Sequence, residues 1–161
     1  MGLTAKRLRE LLDYDPETGV FKWKVKRKHM NVGDIAGSIK SKRYRHIEVD
    51  RKHYSAHRLA WLFHYGKWPT AWIDHINNDP FDNRICNLRE ATPNQNAYHR
   101  RGRSRSGVKG VYPRKNGKFE AWIMQAGVHY YLGQFATKQE AATAYANTAC
   151  VLHGEFATTG G

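Results

Sequence analysis

Between residues 73 and 96 the chain gathers side chains that could do chemistry on a phosphate ester. Ile73-Asp74-His75-Ile76-Asn77-Asn78-Asp79 is followed by Asp82-Asn83-Arg84-Ile85-Cys86-Asn87-Leu88-Arg89, then by Asn94 and Asn96. Phosphodiester hydrolysis needs an activated water, a cation against the phosphate and help for the leaving oxygen. A histidine can take a proton from water near neutral pH. An aspartate and an asparagine amide oxygen are hard donors suited to Mg²⁺, which keeps the rest of its shell for water and phosphate. Adjacent residues of a strand face opposite sides, so Asp74 and His75 can share a site only where the strand twists or ends. An isolated Asp-His pair is more often a hydrogen-bonded surface pair than a reaction centre, so any weight rests on the ordered set. Asp79 and Asp82 read as turn and Asx-loop residues. Asn83 and Arg84 either shape the loop or touch phosphate. His57 reads as a structural contact to this unit, and His46, His53 and His64 as surface or packing residues.

The elements that must hold these side chains can be read from periodicity. Thr4 caps a short helix with Leu8, Leu11 and Leu12 on one face, and Asp15-Pro16-Glu17-Thr18-Gly19 is a turn. Val20 to Val25 alternates as a strand, with Lys22, Lys24 and Lys26 on one face and Phe21, Trp23 and Val25 on the other. Gly33 and Gly37 punctuate a loop. Residues 44–49 and 52–55 form a hairpin, and residues 58–65 a helix stopped by Gly66-Lys67-Trp68-Pro69. Residues 72–76 are a short strand. Asn77-Asn78-Asp79-Pro80 is a turn, and a polar loop runs on to Asn87. Residues 87–91 lead into a helix that carries Asn94 and Asn96. The Arg/Ser/Gly stretch 100–107 reads as a linker. Three strands, 108–113, 118–125 and 128–135, are followed by a helix from Lys138 to about His153. Thr137 and Glu140 give that helix a capping box.

Charge narrows the partner. The 161 residues carry a net charge of +13 and a pI near 9.9, with a mean hydropathy of −0.75. From Arg100 to Lys118 there are eight Lys or Arg and no acid. Further basic runs are Lys22-Lys24-Lys26-Arg27-Lys28 and Lys40-Lys42-Arg43-Arg45-Arg51-Lys52. Clustered charge of this kind points to nucleic acid. The two cysteines, Cys86 and Cys150, are far apart and cannot make a four-cysteine zinc site. The N-terminal residues read as a charged helix, not a signal peptide, and no apolar run approaches membrane-spanning length. The expectation is a soluble, intracellular protein with no membrane partner and no small-molecule substrate.

Asp74-His75, Asn87 and Asn96, in that order, resemble the HNH nuclease motif, whose ββα-metal fold places two strands and a helix around one metal ion. The phage-type homing endonucleases are similar in further pieces: Ala56-His57-Arg58-Leu59-Ala60-Trp61 upstream, and Asp82-Asn83-Arg84 and Asn87-Leu88-Arg89 downstream. The resemblance spans roughly residues 44–98. It implies His75 as general base, Asn87 as the residue that bridges loop backbone and orients the imidazole, and Asp74 and Asn96 as metal ligands. Asn94 remains the alternative to Asn96. The implied cofactor is one divalent ion, Mg²⁺ with Mn²⁺ or another divalent ion as the alternative, and no structural zinc. The implied products are a 5′-phosphate and a 3′-hydroxyl.

Lys109-Gly110-Val111-Tyr112, Leu132-Gly133-Gln134-Phe135, Glu140-Ala141-Ala142, Ala144-Tyr145 and Leu152-His153-Gly154 look like the AP2 DNA-binding domain over about residues 107–157. Strand alternation turns Phe119, Ala121 and Ile123 inward with Tyr130 and Leu132. The outward face of such a sheet can enter a major groove. The resemblance implies a DNA face of Lys109, Tyr112, Arg114, Trp122, Met124, His129 and Tyr131. Lys22, Lys24, Lys26, Arg84, Arg101 and Arg103 join them as expected phosphate contacts.

The expectation is therefore an α+β chain in three parts: an N-terminal β-rich extension with a ββα-metal HNH core (1–99), a basic linker (100–106), and a three-stranded antiparallel sheet with one packed helix (107–161). Its expected function is site-specific cutting of double-stranded DNA, of the homing type and phage-encoded, acting in a bacterial cytoplasm. One HNH centre per chain implies nicking unless the protein dimerises; monomer and homodimer stay open. The rivals are a DNA-binding regulator with a vestigial HNH core and an RNA-binding protein or ribonuclease.

Overall fold

A computed structural model of the chain describes residues 2–41, 44–99 and 104–157, with the backbone alone at 40 and 41. Arg101 and Arg103, expected on the DNA, lie outside the described residues. The chain is α+β and divides into two compact units, Met1–Ala91 and Thr92–Gly161. This division by packing falls ahead of the helix that the sequence grouped with residues 1–99.

The first unit opens with helix α1 (Ala5–Leu11), where the Thr4 hydroxyl accepts from the Arg7 amide at 3.2 Å. Leu12 is not the last residue of its apolar face; it starts strand β1 (Leu12–Asp15), which pairs antiparallel with β2 (Val20–Trp23). The connecting turn is held by Asp15, whose carboxylate takes the Glu17 amide and the Thr18 hydroxyl. Phe21 and Trp23 face the core, while Lys22, Lys24 and Lys26 are exposed as the alternation requires.

Strands β4 (Tyr44–Val49) and β5 (Lys52–Ser55) form the expected hairpin. The segment read as loop between Gly33 and the hairpin contributes a third strand, β3 (Ser38–Ser41), on the β4 edge. Its pairing is irregular, so it carries little alternation for the sequence to display. Helix α2 (Ala56–Tyr65) ends at Gly66 in the left-handed conformation, φ 73°. Leu59, Ala60 and Leu62 of α2 meet Leu8, Leu12, Phe21, Ile47 and Val49 in one core. Strand β6 (Trp72–His75) pairs antiparallel with β7 (Leu88–Ala91).

In the second unit, helix α3 (Pro93–His99) begins at Thr92, which exchanges hydrogen bonds with Gln95: Thr92 N to Oε1 at 2.8 Å and Gln95 N to Oγ1 at 3.3 Å. Strands β8 (Val111–Pro113), β9 (Phe119–Gln125) and β10 (Val128–Phe135) form an antiparallel sheet in the order β10-β9-β8. Helix α4 (Lys138–His153) starts at the predicted Thr137–Glu140 capping box. It lays Ala141, Tyr145 and Ala149, spaced four apart, on Val111, Ala121 and Ile123. Gly110 makes this contact possible. At φ +71° a Cβ there would sit 2.3 Å from the Tyr145 ring and 2.4 Å from the Trp122 carbonyl oxygen. Tyr130 departs from its inward assignment and is 47% exposed. It pairs with Ile123, but β10 is an edge strand and a register shift between Tyr131 and Gly133 bends it there.

Candidate functional site

The site is best built from strand β6. The antiparallel register sets Asp74 opposite Arg89 and His75 opposite Leu88. Asp74 and His75 are both buried, each 6% exposed. The constraint raised by strand alternation is met by the strand's end: His75 is its last residue, and Asn78 then turns the chain with φ 59°.

Asp74 is held by a cross-strand ion pair. Nε and Nη2 of Arg89 each lie 3.0 Å from Asp74 Oδ2, with both side chains largely sequestered. An arginine opposite an aspartate in register fixes the carboxylate's orientation. The sequence reading gave Arg89 no role. The signal that could have found it was the β6–β7 register, which required residues 88–91 to be recognised as a strand.

The loop after β6 is closed by its own polar side chains. Asn87 Oδ1 accepts from the Asn77 amide at 3.0 Å, and Asn87 Nδ2 donates to Asn77 Oδ1 at 3.0 Å and to the Asp82 carbonyl at 2.8 Å. The Asn87 carbonyl accepts from the Ile76 amide at 2.9 Å. Asn87 thus bridges the backbone of Asn77, Asp82 and Ile76. Its side chain does not reach the imidazole; Asn83 does. Asn83 Oδ1 lies 3.2 Å from His75 Nε2. Asn83 is 2% exposed, and its Nδ2 donates to the Phe81 carbonyl at 3.3 Å, which turns Oδ1 toward the ring. An amide oxygen only accepts, so His75 carries its proton on Nε2 and presents Nδ1 as the lone pair. No hydrogen bond reaches Nδ1 from the described residues.

The N-terminal hairpin backs this loop. The Tyr14 hydroxyl donates to the Asn83 carbonyl at 2.7 Å, and the Ile85 amide donates to the Pro16 carbonyl at 3.3 Å. A Cβ on Gly19 would meet Arg84 N and Asn83 C at 2.5 Å, so the turn needs glycine for this approach as well as for its φ of +71°. Asp79 and Asp82 behave as loop-formers. Asp79 Oδ1 accepts from the Phe81 amide, and Asp82 takes Asn77 Nδ2 and Arg84. Arg84, expected on phosphate, is exposed but its Nε and Nη2 lie 2.8 and 2.6 Å from the Asp82 oxygens.

His57 closes the other side of His75. Its ring centroid is 5.2 Å from that of His75 in a T-shaped arrangement, and the Tyr44 ring lies 4.9 Å from His57 and 6.1 Å from His75. Burial pushes the His57 pKa down to about 3, with the neighbouring His75, Arg58 and His46 adding to the effect. Burial also lowers the pKa of His75 below its ordinary 6.5, opposed by the Asn83 bond and by Asp74, Asp79 and Asp82. Both rings are neutral at pH 7, the form a general base requires.

A divalent ion can be tested against the donors present. Asp74 supplies a buried, oriented carboxylate oxygen, and asparagine amides are hard donors of the same kind; this chemistry fits Mg²⁺ or Mn²⁺ with water and phosphate completing the shell. In the second unit, Asn96 is half-buried on α3 and Asn94 is exposed.

The second unit gathers the expected outward face on one side of its sheet. Tyr131 pairs with Trp122, His129 with Met124, and Tyr112 with Glu120. Tyr112, Arg114, Trp122 and His129 line a shallow depression of about 370 Å³. Two contacts were not anticipated. Glu120, which strand alternation turns outward on this face, is ion-paired with Arg114 and accepts from Trp122 Nε1 at 3.2 Å. Lys109 is half-buried, and its ammonium donates to the Tyr98 and Ala97 carbonyls at the C-terminal end of α3. Burial pushes its pKa down to about 8. Its contacts cap a helix within its own unit.

Residues 54–98 match the family model described as HNH endonuclease. The chain is also 31% identical over 113 residues to an uncharacterized HNH endonuclease of Acanthamoeba polyphaga mimivirus, covering 69% of this chain and 59% of that protein. The chain thus spans under two thirds of the length of this relative. No solved structure matches it. Asp74, His75, Asn83, Asn87 and Asn96 all fall within the residues that match this model, 54–98.

Proposed function

We propose that the protein is a DNA endonuclease that hydrolyses phosphodiester bonds at its HNH segment. The observation that carries this reading is the state of His75. It is buried, neutral, fixed through Nε2 by Asn83, open at Nδ1, and adjacent to an oriented carboxylate. His75 Nδ1 takes the proton from the attacking water as its oxygen bonds to phosphorus and the leaving 3′-oxygen departs. Asp74 would be a ligand of one divalent ion, Mg²⁺ or Mn²⁺, and the HNH resemblance implies Asn96 as another. When bound, such an ion neutralises charge on the phosphate and on the leaving oxygen. Asn87 keeps the loop closed, and Asn83 keeps the base in one tautomer.

The reading extends to a nuclease domain at 1–99, a linker at 100–106 and an AP2-like DNA-binding domain at 107–161, giving a site-specific enzyme of the homing type. Tyr112, Arg114, Trp122, Met124, His129 and Tyr131 contact duplex DNA, and Lys22, Lys24 and Lys26 hold flanking phosphates. The decisive experiment incubates the protein with supercoiled plasmid and Mg²⁺ or Mn²⁺, beside His75→Ala and EDTA controls. Metal-dependent nicking that His75→Ala abolishes supports the reading. Tight binding of duplex DNA without cleavage on any substrate favours the non-catalytic regulator.

A further inference from the structure

His57 is a buried histidine beside His75 that the proposed reaction does not use. It lies outside the Asp-His-Asn-Asn set, in the first turn of α2, and is 8% exposed. Its Nδ1 is buried without a hydrogen-bond partner among the described residues. Buried histidines that serve packing alone normally find a partner for each polar nitrogen. The ring of His57 is instead held by other rings: Tyr44 from β4, and His75 from the end of β6.

The same contacts act in the opposite direction. Asn83 fixes His75 at one atom, Nε2, and one hydrogen bond leaves an imidazole free to swing about the bond that carries it. A second contact against the ring is needed to fix its plane. The T-shaped approach of His57 at 5.2 Å and the nearly parallel Tyr44 ring at 6.1 Å and 24° supply it. α2 is anchored by Ala56, Leu59, Ala60 and Leu62 in the core of the first unit, so His57 is a rigid stop.

We propose that His57 is a positioning residue of the reaction: with Tyr44 it fixes the plane of the His75 imidazole, so that Nδ1 keeps one direction while Asn83 holds Nε2. The proposal rests on the reading of His75 as the base, and it requires the ring of His57, not its nitrogens.

Three proteins test it: wild type, His57→Ala, which removes the ring, and His57→Phe, which keeps a ring and discards the orphaned nitrogen. Nicking of supercoiled plasmid with Mn²⁺ is measured under saturating and subsaturating DNA, together with thermal melting. His57→Ala is expected to lose about 10- to 100-fold in kcat, the usual scale for residues that orient a functional group, with KM for DNA unchanged. His57→Phe is expected to recover most of kcat and to melt no lower than wild type. Nuclear Overhauser contacts of the His75 ring protons supply a readout that needs no cleavage. Wild type and His57→Phe should show His75 in one ring orientation, and His57→Ala an averaged set of contacts. Wild-type kcat in folded His57→Ala, or a His57→Phe as inactive as His57→Ala, overturns the proposal. So does a single His75 ring orientation in His57→Ala. If wild type itself cuts no DNA, the nuclease reading fails, while the spectra still decide whether His57 positions His75.

Discussion

Asn83 offers the sharpest test of the base geometry. Replacing it with leucine removes the oxygen bonded to His75 Nε2 and the donor to the Phe81 carbonyl. A neutral hydrogen bond contributes about 0.5–1.5 kcal/mol net, and each 1.36 kcal/mol is tenfold in a rate or equilibrium. If that bond is what favours the productive tautomer, its loss lowers the ratio of productive to unproductive forms by roughly 2- to 13-fold, and kcat falls by up to that factor. KM for DNA should not move, because Asn83 is 2% exposed and cannot touch a phosphate. Stability should fall by about 1–3 kcal/mol, the cost of leaving the buried Nε2–H unpaired. The assay is single-turnover nicking with DNA in excess over KM, with urea unfolding alongside. Asn83→Asp keeps an oxygen facing Nε2 and should retain more activity than Asn83→Leu. An Asn83→Leu protein that folds and cuts at the wild-type rate, or one that loses only DNA affinity, would refute the assignment.

The remaining predictions concern other parts of the molecule. His75 sits below the ordinary histidine pKa of 6.5, so its neutral form persists to lower pH, and the acidic limb of the cleavage profile should fall below 6.5 rather than at or above it. His57, pushed down to about 3, binds no proton in the native state while the unfolded chain takes one below about 6.5. Stability should therefore drop as pH falls through that window, by up to about 1.4 kcal/mol per unit from this group. Urea midpoints at pH 7.5 and 5 should show the drop, and His57→Phe should lessen it. Glu120→Gln frees Arg114 from its ion pair; if this face meets DNA, binding should tighten and log K against log salt should steepen by roughly 0.9. Gly19→Ala, with Asn83 and Arg84 backbone 2.5 Å from the new Cβ, should lower both melting temperature and kcat, whereas Gly33→Ala, with open space around it, should cost only backbone strain and leave kcat alone.

Much of this was legible in the sequence, because it depends on local order. Alternation gave the faces of β2 and β9, the Thr137–Glu140 spacing gave the start of α4, and the order Asp74-His75, Asn87, Asn96 pointed to the family whose model matches residues 54–98. What the sequence left open depended on distance across the chain. The Arg89–Asp74 pair follows from strand register, and β3 from an edge that only the hairpin creates. Asn83 and Asn87 are four residues apart with the same side chain, and nothing local says which faces the imidazole. The packing of Tyr14, Pro16 and Gly19 against the loop decides it, by setting the path of the backbone at Asn83. The employment of Lys109 and Arg114 was likewise undecidable from charge, since a lysine that caps a helix and one that meets phosphate are the same residue in the sequence. Residue type and spacing determined which chemistry is available; tertiary packing decided which atoms are turned toward it, because orientation is set by neighbours that lie far away along the chain.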